Sequence, residues 1–310
     1  MSKSKGFSLV ELAVALAIIA LLLAGALIPL STQIEVRNVA DTQRAMESIR
    51  EAIVGFAQAN GRLPCPADGS IAAGAAGAGT EQIGLSSCFN VGVSTFGVVP
   101  WATLGVPETD AWGRRFSYCV APAFADKVSL ATWNTIKNTS GYSAPPPPPT
   151  YLPQTTSSPD SPQNQSPLCN LTTAPTFSSF ALCTLGDIAV FTRGGSTTTA
   201  VPLGTALPAV FISHGKNGFG AWQTNGTRLN PIPTGNDEAA NVNGNTTATP
   251  SGGYSSWAFY SRTRAPAAAG CVDPVPGATN AAPACEFDDI VMMISSNALI
   301  ARMVAAGRLP

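Results

Sequence analysis

The sequence predicts an α+β protein, with one long amino-terminal helix leading into a β-rich globular domain. Three observations predict it. An apolar run extends unbroken from Leu12 to Ile28. Helical spacing then continues as far as an Asn60-Gly61…Pro64 stop signal. Beyond that point the chain divides into short β-rich runs bounded by Gly and Pro. The 29 glycines and 26 prolines among 310 residues agree with a loop-rich β domain rather than a helical bundle.

The first element opens with a short basic leader, residues 1–6, containing Lys3 and Lys5. Counted from Phe7, the apolar stretch reaches 22 residues, broken only by Ser8 and Glu11. That is enough helix to cross about 30 Å of hydrocarbon. The lysines precede it, so the amino end stays cytoplasmic and the rest is exported. A carboxylate inside such a segment costs about 2.5–3.5 kcal/mol on insertion scales and normally has a partner. Two readings compete for the processing site. Ala24-Gly25-Ala26 satisfies an ordinary A-x-A cleavage pattern. Against it, Glu11 interrupts the start of the apolar region, and the residues after Ala26 continue as helix. The alternative cleaves between Gly6 and Phe7 and keeps the helix.

The run Lys5-Gly6-Phe7-Ser8-Leu9-Val10-Glu11-Leu12 resembles the prepilin peptidase signal of type IV pilins and type II secretion pseudopilins. The resemblance covers about the first 30 residues. It implies cleavage after Gly6, N-methylation of Phe7, and a pilin-like fold. The implied division is a leader at 1–6, a transmembrane helix at 7–30, its periplasmic half at 31–60, and a β-rich domain at 61–310. The implied partners are prepilin peptidase, the membrane and other pilin or pseudopilin subunits. The implied location is a single inner-membrane pass, with the carboxyl-terminal domain in the periplasm or on an extracellular filament. Cleavage leaves an amine on Phe7 about one helical turn from Glu11. In a bundle of such helices one subunit's amine can pair with its neighbour's carboxylate and penalise wrong axial registers. The implied function is structural, as a minor or specialised subunit of a type IV pilus or type II secretion pseudopilus. The alternative is a pilus-tip adhesin or uptake receptor presenting the loops at 139–168 and 225–253.

Past the apolar run, Pro29 predicts a kink or local melting. Val39, Met46, Ile49, Ile53, Phe56 and Ala57 recur at helical spacing and predict a packed stripe. Residues 69–84 read as a Gly/Ala loop without phosphate-binding spacing. Arg115 to Val120 alternates as a strand. Asp110-Ala111-Trp112-Gly113 with Phe116 and Tyr118 is similar to a turn and strand of major pseudopilins. Residues 139–168, with Pro145 to Pro149, predict an extended, polyproline-like insertion. Further strands are expected at Asp187–Phe191, Ala209–Ser213, Tyr254–Tyr260 and Phe287–Ile294. A closing helix is expected over Asn297–Arg308, with Leu299, Met303 and Val304 on one face.

The net charge of −1 and 11% charged residues give no footprint for nucleic acid. No enzyme is predicted: the single histidine, His214, lies in a turn, and no GxSxG or comparable motif accompanies it. Ser213–Gly218 resembles a calcium-binding turn of major pseudopilins. The resemblance makes Asn217, Asp288 and Asp289 calcium candidates, with Asp237 or Glu238 as a substitute acid. The plainer expectation is no cofactor, an ordinary turn and a solvated acidic pair. Seven cysteines without paired CxxC read as a disulfide framework in an exported chain. Local pairs Cys65–Cys88, Cys169–Cys183 and Cys271–Cys285 would leave Cys119, although spacing does not settle connectivity.

Overall fold

The computed structural model describes residues 9–82, 88, 96–125, 180, 186–193, 200–230, 233, 235–244, 257–273 and 285–309, with the side chains of 21–31, 122, 123 and 243 excepted. The expected insertion at 139–168, the Gly6–Phe7 junction, Cys169 and Cys183 lie outside these residues.

Helix α1 spans Leu9–Asn60, 52 residues without interruption. The local melting expected at Pro29 does not occur. Proline removes one backbone hydrogen bond from the ladder, and the flanking turns keep theirs. Among the described residues no helix is long and apolar enough to cross a membrane. The span expected at 7–30 includes Phe7, Ser8 and the side chains from 21 onward, which lie outside that set. The outer half of α1 buries Met46, Ile49, Ile53 and Ala57, with Val39 and Phe56 half-covered. That stripe packs α1 against α2 (Trp101–Leu104), β7 (Ile290–Ile294) and the closing helix α5 (Ser296–Ala305). In α5, Leu299 and Met303 are buried whereas Val304 is exposed, so the buried face is narrower than expected. Ser295 caps its start by accepting from the Ala298 N–H.

Among the described residues two sheets carry the domain. The first is antiparallel, in the order β1 (Phe96–Val98), β2 (Ser117–Val120), β5 (Ala209–Ser213), β7. All four residues of β2 and all five of β5 are buried, so neither strand alternates. They are central strands covered on both faces, and the alternation read at 115–120 gives way to that burial. The second sheet has the order β4 (Val201–Leu207), β3 (Ile188–Thr192), β6 (Trp257–Tyr260). Its β3–β6 pairing is parallel. A parallel pair needs a long crossover, and β4, β5 and α4 (Asn236–Asn243) lie in that connection. The short α3 (Pro122–Ala125) follows β2. The main core joins the α1 stripe to Tyr118, Val120, Phe211 and Ile212, while Ala189, Phe191, Ala240, Ala258, Tyr260 and Phe287 form a second cluster under α4.

The Gly/Ala loop is anchored at both ends. Arg62 donates two hydrogen bonds of 2.8 Å to Glu81. The fully buried Arg115 donates to the carbonyls of Gly69, Ile71 and Thr224 and pairs with Glu108. Cys65 is bonded to Cys88 and Cys271 to Cys285, while Cys119 is a buried free thiol among the described residues.

Candidate functional site

The site forms where the β5 exit loop, α4 and the lead-in to β7 converge. Asp110 organises its floor. Its Oδ1 accepts from the backbone N–H groups of Trp112 and Arg114, closing the Trp-Gly turn, and its Oδ2 accepts from Ser213 Oγ at 2.6 Å. That bond fixes the end of β5, from which the His214 turn departs. Arg114 then donates to the carbonyls of Gly215 and Lys216. Gly215 has φ +56°, and a Cβ there would strike Asp288, so the loop lies directly on the acidic run.

Over 60 residues of chain separate this turn from Asp288, yet the fold brings the two together. The Asn217 N–H donates to Asp288 Oδ2 at 2.8 Å. Glu238, on the first turn of α4, completes the group. Ligand atoms of Glu238, Asp288 and Asp289 all lie within 4.8 Å of one another. Glu238 and Asp289 are buried and Asp288 is half-buried, so the expected solvated acidic pair is corrected. Asn217 also departs from its expected role. Its side-chain amide donates to Glu238 Oε1 at 2.9 Å and its Oδ1 accepts from the Phe219 N–H, so it supports the carboxylates as a donor. Asn241 holds Asp289 Oδ2 at 2.8 Å and exchanges two bonds with the Tyr260 backbone.

The electrostatics are those of an under-compensated negative pocket. Burial, and after it the Asp289 charge, push the Glu238 carboxyl well above the usual carboxylate range, and burial also raises Asp288. Asp288 Oδ1 and Asp289 Oδ1 are buried and accept no hydrogen bond among the described residues. His214 Nδ1 faces Asp289 Oδ1 at 3.6 Å, beyond hydrogen-bond distance; a buried carboxylate oxygen without a hydrogen bond is costly, and a hard cation bound by oxygens would remove that cost. Three carboxylates within one ion's reach match the donor chemistry of calcium, which takes six to eight oxygens. The residues present therefore fit such an ion, with Glu238, Asp288 and Asp289 as its holders.

A second arrangement sits behind the first. Ser117 Oγ lies 2.7 Å from His214 Nε2, and His214 Nδ1 lies 3.6 Å from Asp289 Oδ1. The order imitates a nucleophile–base–acid relay. Ser117 and His214 are both shut inside the sheet, however, with His214 at 0% exposure. A hydroxyl in that position meets no substrate. His214 therefore heads its turn, as the sequence suggested, with its side chain buried in the core.

Next to the acidic group lies a fully buried ion network. Arg193 donates to Asp237 Oδ1 at 2.7 Å; Arg262 lies 3.1 Å from Asp237 and 3.3 Å from Asp273. Sequence reasoning missed this network and α4 itself. The only available signals were the acidic pair Asp237-Glu238 at a helix start and the flanking Gly235 and Gly244.

Residues 1–27 match the family model described as the prokaryotic N-terminal methylation motif. The chain thus carries the signal of type IV pilins and pseudopilins, which marks a subunit processed by prepilin peptidase and methylated at its new amino terminus. The match spans the leader and the start of α1 and does not reach the site just described. Neither a curated protein nor a solved structure matches this chain.

Proposed function

We propose that the protein is an inner-membrane-anchored structural subunit, minor or specialised, of a type IV pilus or type II secretion pseudopilus. The observation that carries the reading is the methylation motif at 1–27 running directly into α1. Leu9, Val10, Leu12, Val14, Leu16, Ile18 and Ile19 are all exposed along that helix. Apolar surface on this scale demands cover, which lipid supplies before assembly and neighbouring helices supply afterwards. The mature protein is expected to begin at Phe7 with a methylated amine. Intact mass and amino-terminal sequencing of membrane-extracted protein test this, and a mature start at Leu27 would sink the pilin reading.

The acidic group is a calcium site in this reading, with structural effect. Calcium would replace the missing hydrogen bonds of Asp288 Oδ1 and Asp289 Oδ1 and tie α4 to β7. Ion at one hundred times its Kd stabilises the folded state by about 2.7 kcal/mol. At about 2–4 °C per kcal/mol for large domains, the detergent-extracted full chain should melt at least about 5 °C higher in millimolar calcium than in chelator. Glu238→Gln should abolish the difference. Coincident melting curves for the wild type would leave the group without an ion.

A further inference from the structure

The acidic group and the Cys271–Cys285 disulfide share two supports. The first is α4. Asn236 Nδ2 donates to the Asp273 carbonyl at 2.7 Å, and Asp273 lies inside the loop that the disulfide closes. The Asp273 carboxylate accepts from the Cys285 N–H at 3.0 Å and faces the Asp237 N–H and Arg262. Arg262 donates in turn to the Cys285 carbonyl at 2.7 Å. At Gly235, the residue before α4, a Cβ would lie 2.6 Å from Asp273 Oδ2 and 2.8 Å from Cys285 Cβ. The start of α4 therefore rests on the disulfide, and Glu238 sits on the first turn of that helix. The second support is the chain itself: Cys285 stands three residues before Asp288, joined to it through Phe287, which bridges to Ala265.

We propose that the Cys271–Cys285 disulfide and the cation site at Glu238, Asp288 and Asp289 are one thermodynamic unit, so that oxidation builds the site and the bound ion protects the disulfide. This rests on the calcium reading above. Breaking the bond removes the covalent tie between Cys271 and Cys285, and with it one of the restraints on Asp273, two residues from Cys271. The two elements that present Glu238 and Asp288 then lose their common anchor. Residues that orient metal ligands from behind typically change affinity about 10–100-fold when removed. Coupling between two sites is reciprocal, so bound calcium must protect the disulfide against reduction by the factor with which reduction weakens calcium binding. In a cell, the site would be completed only after export to an oxidising compartment.

The wild-type full chain, extracted in detergent, is equilibrated across ratios of reduced to oxidised dithiothreitol, in millimolar calcium or in chelator. The reductant's two thiols become its cyclic disulfide as each protein S–S bond becomes two thiols. Alkylation and mass spectrometry then read each cysteine separately. The ratio needed for half-reduction of Cys271–Cys285 should rise about tenfold or more in calcium. The ratio for Cys65–Cys88, which lies outside these supports, should not move. If calcium raises the melting temperature while the Cys271–Cys285 ratio stays put, or while both disulfides shift equally, the coupling is wrong and the ion site stands. If calcium changes neither melting temperature nor ratio, the ion site itself is wrong and the coupling falls with it.

Discussion

Glu11→Leu subunits are expected to enter the membrane and fold their outer domain, yet to be incorporated into filaments at least about tenfold less than wild type. Removing a carboxylate from an apolar helix favours insertion by about 2.5–3.5 kcal/mol on insertion scales, so targeting should not suffer. The loss falls on assembly. In the proposed pilin reading each incoming subunit would bring a methylated Phe7 amine, and burying that cation among apolar helices without a counter-charge is costly. On that reading a neighbour's Glu11 would remove most of the cost, and only at one axial offset. Fractionation of assembled filaments against total membrane protein measures the ratio. Incorporation of Glu11→Leu subunits at wild-type level would refute the charge-pairing mechanism, leaving the methylation signal itself intact.

The second large effect is expected at Arg262. Its side chain is 1% exposed, within ion-pair reach of Asp237 and Asp273, and stacked over the Phe287 ring at 4.8 Å. Arg262→Ala removes the cation and leaves two buried carboxylates facing each other. Burial and the Asp273 charge already hold Asp237 up at about 6 with both guanidiniums in place. Deleting one partner of a buried pair typically costs about 3–5 kcal/mol. Arg264 is the internal contrast, two residues along and paired with Glu35 on α1 at the surface. Such partly exposed pairs are worth about 0–1 kcal/mol, so Arg264→Ala should move the unfolding transition much less than Arg262→Ala. Thermal and urea unfolding of the two variants side by side decide the matter. Equal, small effects would mean that α4 is held by something other than its ion network.

Much of the framework was legible because it obeys local rules. The α1 stripe at Met46, Ile49, Ile53 and Ala57 follows helical periodicity, and those residues are buried. Ala209–Ser213 is a compact apolar β run, and it is β5. The last helix announces itself by Leu299 and Met303. Other elements were not legible. Strand β4 leaves Val201 and Leu203 exposed, includes Pro202 and Gly204, and pairs with β3 through register shifts. No propensity argument selects it. Helix α4 is eight residues long and buries Asp237, Glu238 and Asn241 alongside Ala240 and Val242, so the inward face mixes polar with apolar residues and a hydropathy pattern does not find it.

Residues near one another in the chain were enough to specify the processing signal, the long helix with its packed stripe, and the β-rich character of the domain beyond Asn60. Helix pitch, strand propensity and a peptidase's recognition of a short segment all operate over that range. Folding in three dimensions was needed to set the burial of Asp289, the donor role of Asn217, the enclosure of His214 beside Ser117, and the meeting of Glu238 with Asp288. Those properties depend on which distant segments exclude water from one another. Hydrogen-bond role and charge compensation are set by neighbours 50 or more residues away in sequence, such as Glu238 and Asp288, which no local pattern encodes.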